Sequence, residues 1–277
     1  MYNKALHEDF HFRTLFDWIK YKIQFRKEHP FYFEPSGTCM FVGSQGSGKT
    51  LSGVNYIYNI MQDFPHCILV TNVRMTDYPF NAHLSRDELS NAYTLRDDVS
   101  QRRIDTSYVF ENHPRVVVEY TGLDCLKYIN NGEYGVLYFI DELHLELNSL
   151  ESKNIDIDVI TEISQQRKQR KHIVGTSQVF MRLAKPVREQ IKDIILCKNF
   201  FDCLQFNKLI DGESAVEVNG KIKAVCKHRS FYLHSPEYYG RYDTFAKMKR
   251  LNNEWQGHSR EPVNFFDVPI VGGVDKI

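Results

Sequence analysis

Gly43-Ser44-Gln45-Gly46-Ser47-Gly48-Lys49-Thr50 is the stretch on which the reading of this 277-residue chain turns. It satisfies the pattern G-x-x-x-x-G-K-[ST], whose glycines let the backbone turn tightly and aim its N–H groups at an anion. In such a loop the Lys49 ammonium reaches β- and γ-phosphates, and the Thr50 hydroxyl can ligate Mg²⁺. The flanks agree with that reading. Thr38 to Val42 is a short apolar run suited to a buried strand, and Leu51 to Met61 carries small and apolar residues at helical spacing. Strand, loop and helix in that order set a phosphate on a helix N-terminus, where the dipole and free amides favour negative charge. Gly43 through Thr50, together with Leu51, are therefore the candidate nucleotide-binding residues.

The rest of the composition sets bounds. A 42% hydrophobic fraction with 19 Phe and 16 Tyr supports a proper core and argues against extensive disorder. The length suits one large α/β domain with additions, or at most two domains. Formal net charge is zero, so no global field draws the chain to nucleic acid, and any such contact needs a local patch. Cysteines 39, 67, 125, 197, 203 and 226 are scattered without a C-x-x-C pair. They read as thiols of a reducing compartment, with Cys39 and Cys67 inside core strands. The N-terminus lacks the apolar segment of a signal peptide, and no run approaches 18 uncharged apolar residues. The expectation is a soluble protein of the cytoplasm, with any membrane association peripheral.

Along the chain, residues 1–36 read as a helical arm, 37–200 as the nucleotide-binding core, 201–245 as a β-hairpin extension and 246–277 as a tail. Within the arm, residues 5 to 27 form a helix with Phe12, Phe16, Ile19 and Ile23 at three- and four-residue spacing among lysines. The favoured reading packs that stripe on the core; the alternative lays it on an anionic membrane surface. Residues 67–73, 115–120, 135–140, 172–178 and 193–201 read as strands. Between them, helical patterns cover 123–128, 154–171 and 180–192, and 74–113 is a variable insertion with short helices near Arg86 to Tyr93. Strands alternating with helices predict an α/β, doubly wound, mostly parallel sheet. Asp211-Gly212 and Asn219-Gly220 signal antiparallel hairpins. At the second, a three-residue loop Asn219-Gly220-Lys221 would place Val216, Val218, Ile222 and Ala224 on one face.

Asp141 and Glu142 follow the apolar run 136–140, which sets two carboxylates at the C-terminal tip of a buried strand, the edge where the glycine-rich loop also opens. Asp141 is then the candidate Mg²⁺ residue beside Thr50, and Glu142 the candidate general base for an attacking water. A hydrolase needs that second carboxylate; a nucleotide kinase does not. Gln178, at the end of the next strand, is a candidate γ-phosphate sensor. The basic run Gln165 to Lys171, with Arg182, Lys185 and Arg188 beyond it, can complete a neighbouring subunit's site, line a nucleic-acid channel, or balance a helix dipole. Asp141, Glu142, His144 and Glu146 are spaced unlike an H-E-x-x-H metal site, so His144 reads as structural.

Taken together, the loop at Gly43 to Thr50, Thr71-Asn72, Ile140 to His144, Ser164 to Arg170, Thr176 to Gln178, Arg188 and Tyr242-Asp243-Thr244 resemble the zonula occludens toxin family. That family includes the assembly ATPases of filamentous phages and is related to the FtsK–HerA class of P-loop motors. The resemblance spans about residues 37 to 245 and implies ATP-driven motor work in virion assembly, DNA export or genome packaging. It implies ATP and Mg²⁺ as cofactors and a homo-oligomeric ring, six being one candidate order. Phage DNA or virion proteins would be the partners, with peripheral contact at the host inner membrane. By position it makes Lys49 and Thr50 phosphate and Mg²⁺ residues, Asp141 an Mg²⁺ residue, Glu142 the water activator and Gln178 the sensor. Arg188, or Arg167 in the basic run, would act across a subunit interface. Membrane-anchored members continue into a transmembrane helix that this chain does not show, which moves the expectation toward a soluble packaging motor or a peripherally recruited ATPase. The alternatives are a nucleotide-binding assembly switch with little hydrolysis, and a soluble nucleic-acid-translocating ATPase of a mobile element.

Overall fold

Val136-Leu137-Tyr138-Phe139-Ile140 is apolar at every position and at most 1% exposed throughout, the mark of a strand covered on both faces. The computed structural model of the chain describes residues 12–75, 82–84, 116–218 and 221–243, and this strand lies near the middle of their sheet. The elements in chain order are α1 (Phe12–Glu28), β1 (Gly37–Val42), α2 (Lys49–Asp63), β2 (Ile68–Thr71), β3 (Ala82–Leu84), β4 (Val116–Glu119) and α3 (Cys125–Tyr128). They continue with β5 (Val136–Ile140), α4 (Ile157–Gln165), β6 (Lys171–Ser177), α5 (Lys185–Arg188), β7 (Ile191–Phe200) and β8 (Leu204–Asp211). Last come β9 (Val216–Val218), β10 (Lys221–Lys223), β11 (Cys226–Leu233) and α6 (Pro236–Gly240).

Nine strands form one sheet in the order β11-β8-β7-β1-β6-β5-β2-β4-β3. The pairs from β7 through β3 are parallel, while β8 pairs antiparallel with β7 and with β11. Alternation along each strand feeds two cores. Cys39, Phe41, Leu69, Leu137, Phe139 and Val174 face α2, through Leu51, Val54, Ile57 and Met61. Met40, Val42, Ile68, Tyr138, Ile140 and Ile173 face α3, α4 and α5, through Leu126, Val159, Ile163 and Val187. The doubly wound, mostly parallel sheet expected from the sequence is what the chain forms. Its antiparallel strands β8 and β11 continue the same sheet beyond β7.

Several local expectations need correction. The stripe of α1 does not pack on the core: Phe16 is 60% exposed and Ile23 52%. The helix read over 154–171 ends at Gln165, because the following residues are pinned to the sheet instead. The Gln166 amide donates to Thr38 Oγ1 at 2.8 Å, Arg170 turns left-handed at φ 53, and Lys171 opens β6. Lys171 is itself buried, its Nζ donating to Glu162 at 2.9 Å and to the Leu126 carbonyl, so it cannot line a nucleic-acid channel. Residues 180–190 make only a 3-10 turn at Phe180–Arg182 and the short α5, and β7 opens at Ile191, since Ala184 N donates instead to Leu147 O at 2.8 Å.

The hairpin expected at Asn219-Gly220 also differs. Val218 pairs with Lys221, a register that puts Val216 and Val218 on the face opposite Ile222 and Ala224, while Asn219 and Gly220 themselves lie outside the described residues. Val216 is 62% exposed, whereas Ile222 and Ala224 pack on the core, so no buried face tied the four together. The sharp turn before it, Phe201-Asp202-Cys203 between β7 and β8, carries no Asn-Gly signal, yet Phe201 and Asp202 adopt φ of 54 and 56. Tyr242 bridges Met75 and is buried against the α2 core, so part of the closing motif is tied to the exit of β2. The expected helices near Arg86 to Tyr93 and the tail 246–277 lie outside the described residues.

His172 shows how tightly the sheet is sealed. Its Nδ1 donates to the Gly37 carbonyl at 2.8 Å, which leaves Nε2 to accept from the Tyr56 hydroxyl at 2.9 Å. Burial pushes its pKa down to about 4. In the unfolded chain an imidazole takes its proton near about 6.5, so between those values the unfolded state binds the extra proton and stability rises with pH. We expect this group to cost on the order of 3 kcal/mol of unfolding free energy as pH falls from about 6.5 to about 4. Urea titrations across that window check it, and His172→Gln should flatten the slope there.

Candidate nucleotide site

Because β1, β6 and β5 are parallel and adjacent, their C-terminal ends share one edge of the sheet. Val42 leads there into the glycine-rich loop and Ile140 into Asp141-Glu142, two strand spacings away, or about 10 Å. Gly46 and Gly48 take φ of 75 and 78, which non-glycine residues rarely adopt, and α2 begins immediately after at Lys49. The first-turn N–H groups of a helix have no partner within it, so this end is built to receive an anion. Ser44, Gln45 and Gly46 are exposed at the loop tip. Lys49 is 6% exposed and curls over the loop, its Nζ donating to the Ser44 carbonyl at 3.0 Å. The Ser47 hydroxyl is buried without a protein partner, an orphan that an oxyanion would satisfy. The Leu51 side chain belongs to the core, so only its backbone N–H can serve a phosphate.

Thr50 and Asp141 meet across this edge. Thr50 Oγ1 donates to Asp141 Oδ1 at 3.0 Å, and Thr176 Oγ1, from the intervening strand, donates to the same oxygen at 2.6 Å. Thr176 Oγ1 also accepts the Glu142 N–H at 2.8 Å, so one hydroxyl sets both carboxylate residues. From the other side Asn72 clamps the Asp141 backbone: its Nδ2 donates to Asp141 O at 3.0 Å, and its Oδ1 accepts from Asp141 N at 2.8 Å. Burial raises the Asp141 pKa; the hydroxyls of Thr176 and Thr50 and the charge of Lys49 act in the opposite sense, while Glu142 raises it further. Glu142 sits at φ 55, a left-handed conformation that costs a non-glycine residue about 1–2 kcal/mol. Its Oε2 lies 3.2 Å from His144 Nδ1, but the pair is misaligned and neither atom has a hydrogen bond. Burial lowers the His144 pKa, so this ring stays neutral beside the carboxylate. Among the described residues no cluster of three or more His, Cys, Asp and Glu could hold a metal without a nucleotide's help.

The antiparallel strands brace the loop from behind. Gln205 on β8 is fully buried, and its Nε2 donates to Ser47 O at 3.0 Å and to Asn207 Oδ1 at 2.9 Å. A Cβ on Gly48 would stand 2.0 Å from Gln205 Oε1, so the glycine is required by contact as well as by φ. Asn207 Nδ2 donates to Ser52 Oγ on α2 at 3.1 Å, and that oxygen lies 3.0 Å from the Tyr232 hydroxyl on β11.

Other sequence candidates lie apart. Gln178 is exposed just past β6, two residues beyond Thr176. Arg167 is exposed before β6 begins, at the opposite edge from Asp141. Arg188 is half-buried at the end of α5, with Nη1 against the Met181 sulfur. Arg167 and Arg188 therefore flank the core without touching the loop. Thr176 and Asn72 entered the sequence reading only as part of the family resemblance, without a role, and Gln205 was not singled out. For Thr176 the signal was present, a hydroxyl one strand period before Gln178. Nothing local marks Gln205, which meets the loop across 158 residues.

No protein-family model matches the chain, and no curated protein matches it. Among solved structures it is similar to the N-terminal domain of zonular occludens toxin from Neisseria meningitidis, at 14% identity over 76% of this chain and 100% of that one, TM-score 0.47. It is also similar to the genome packaging NTPase B204 from Sulfolobus turreted icosahedral virus 2 in complex with AMPPCP, at 14% identity over 69% and 97% of the two chains, TM-score 0.44. A third likeness is to the flagellar accessory protein FlaH from Methanocaldococcus jannaschii, at 11% identity over 63% and 77%, TM-score 0.35. The chain's own strand order and loop geometry carry the assignment: it has the P-loop NTPase fold.

Gln205→Ala tests the brace. Losing the Ser47 contact should weaken ATP binding by about tenfold, the size of one buried hydrogen bond, and leave the far-ultraviolet circular dichroism spectrum unchanged. Titration with a fluorescent ATP analogue reads this directly.

Proposed function

We propose that the chain is the ATP-hydrolysing subunit of a motor that acts in phage virion assembly, DNA export or genome packaging. The observation that carries hydrolysis is the 3.0 Å hydrogen bond between Thr50 and Asp141, which joins the phosphate loop to the strand-tip acids. The residues present fit ATP with magnesium. The glycine-rich turn and the start of α2 offer N–H groups to phosphates, Lys49 offers a buried positive charge, and Thr50 beside Asp141 is an oxygen donor pair of the kind Mg²⁺ takes. Bound there, Mg²⁺ would spread the negative charge of the β- and γ-phosphate oxygens.

Glu142 is the carboxylate left for the water. It accepts the water's proton as the oxygen bonds to the γ-phosphorus and the bridging bond breaks, releasing ADP and phosphate. Lys49 neutralises charge on the transferred group, and Thr176 keeps Asp141 and Glu142 in register while this happens. Gln178, exposed just past the end of β6, would report the γ-phosphate. Arg167 and Arg188, away from the loop in their own subunit, reach a site only in an oligomer, as a ring would allow. The assignment to phage assembly rests on the Ser164 to Arg170 and Thr176 to Gln178 motifs. The moved polymer would be DNA or a virion protein.

Glu142→Gln should retain ATP binding and lose at least about a hundredfold in turnover, the usual weight of a general base, while Lys49→Ala should lose tight binding. Release of ADP and phosphate, with and without single-stranded DNA, measures both. Wild-type turnover in Glu142→Gln removes the carboxylate from its role. Tight ATP binding without turnover in the wild type would replace the motor by an assembly switch.

A further inference from the structure

The helix α1 is an apolar element without a core to serve. Among the described residues, its ring and ion contacts with the rest of the chain gather at its last turn: Phe25 lies 4.9 Å from Tyr32 and 4.6 Å from His29, and Arg26 pairs with Glu34 at 2.9 Å. Ahead of that turn, Leu15, Phe16, Ile19 and Ile23 are 40–60% exposed. At 100° per residue these four form one stripe. Lys20 and Lys27 stand four residues after Phe16 and Ile23, on one flank of it. Lys22 stands seven residues after Leu15 on the other flank, its ammonium 5.5 Å from the Trp18 ring. Asp17 falls on the far side. Arg26 is already neutralised by Glu34, so the charge beside the stripe is carried by lysines on both edges.

We infer that α1 is a membrane-surface helix that docks this ATPase on an anionic phospholipid bilayer. A stripe of aliphatic and aromatic side chains can enter the acyl boundary while lysines on either flank reach headgroup phosphates. Charge decides against a protein groove. A groove would have to offer acidic rims on both sides of an apolar floor, whereas an anionic leaflet offers that pattern everywhere. The 17 described residues of this helix carry seven charged side chains, too many to cross a bilayer, so it lies in the interface plane. No described helix is long and apolar enough to cross a membrane, and α1 supplies attachment without one. The lysines make that attachment weaken with salt.

The test is co-sedimentation of the full chain with vesicles of phosphatidylglycerol mixed into phosphatidylcholine, against phosphatidylcholine alone. Wild type should pellet with the anionic vesicles, and less at about 0.5 M salt. Phe16→Glu with Ile19→Glu, and separately Lys20→Glu with Lys22→Glu and Lys27→Glu, should each lower the partition coefficient at least about tenfold. ATP turnover and circular dichroism should not change, because α1 touches no part of the nucleotide site. Wild type that ignores both vesicle types overturns the proposal, as does a Phe16→Glu/Ile19→Glu variant that pellets undiminished. If that variant instead lowers the molar mass seen by light scattering while wild type binds no vesicles, the stripe belongs to a second copy and the lipid proposal fails.

Discussion

The carboxylate of Asp141 is held by hydroxyls from two other elements, Thr50 at the head of α2 and Thr176 on β6. Most of the architecture can be understood as the means of placing those three side chains together. Parallel strands put the ends of β1, β6 and β5 on one edge, and the strand between them supplies the threonine that touches both acids. Burial would favour protonating Asp141, and the two donated hydrogen bonds with the nearby ammonium favour its anion. Burial and those hydrogen bonds thus act in opposite senses on one carboxylate, with burial the larger. The left-handed Glu142 next to it is a strained residue held by a hydrogen bond to its own N–H, the sort of strain that gathers where chemistry is done.

The antiparallel strands contribute differently from what their position late in the chain suggests. They extend the sheet beyond β7 and reach under the phosphate loop with Gln205 and toward α2 with Asn207 and Tyr232. The loop backbone therefore rests on side chains from the far end of the described chain. β8 thus touches the loop through Gln205 and, with β11, the first turns of α2 through Ser52.

How much could be read in advance follows from the range of each interaction. The strand–loop–helix unit and the Asp141-Glu142 tip were legible because apolar runs, glycines and carboxylates sit within a few residues of one another. The basic run was misread in part: Arg170 and Lys171 look like their exposed neighbours, yet the sheet takes them into the turn that starts β6. The length of α4 and the break between the 3-10 turn at Phe180 and α5 were lost for the same reason, since the contacts with Thr38 and Leu147 compete with helix continuation. Where no burial enforced a register, as at Val216 and Val218, an argument from shared faces had nothing to act on.

Local chemistry alone determined that this chain holds a triphosphate loop, a buried strand tipped with two acids and an alternation that makes a parallel sheet, because each depends on residues adjacent in sequence. Tertiary structure decided that Thr176 joins the acids, that Asn72 clamps Asp141, that Gln205 carries the loop and that α1 stands off the core. Those outcomes depend on which strands become neighbours and on how much surface the finished fold has left to cover, and no short stretch of residues encodes either.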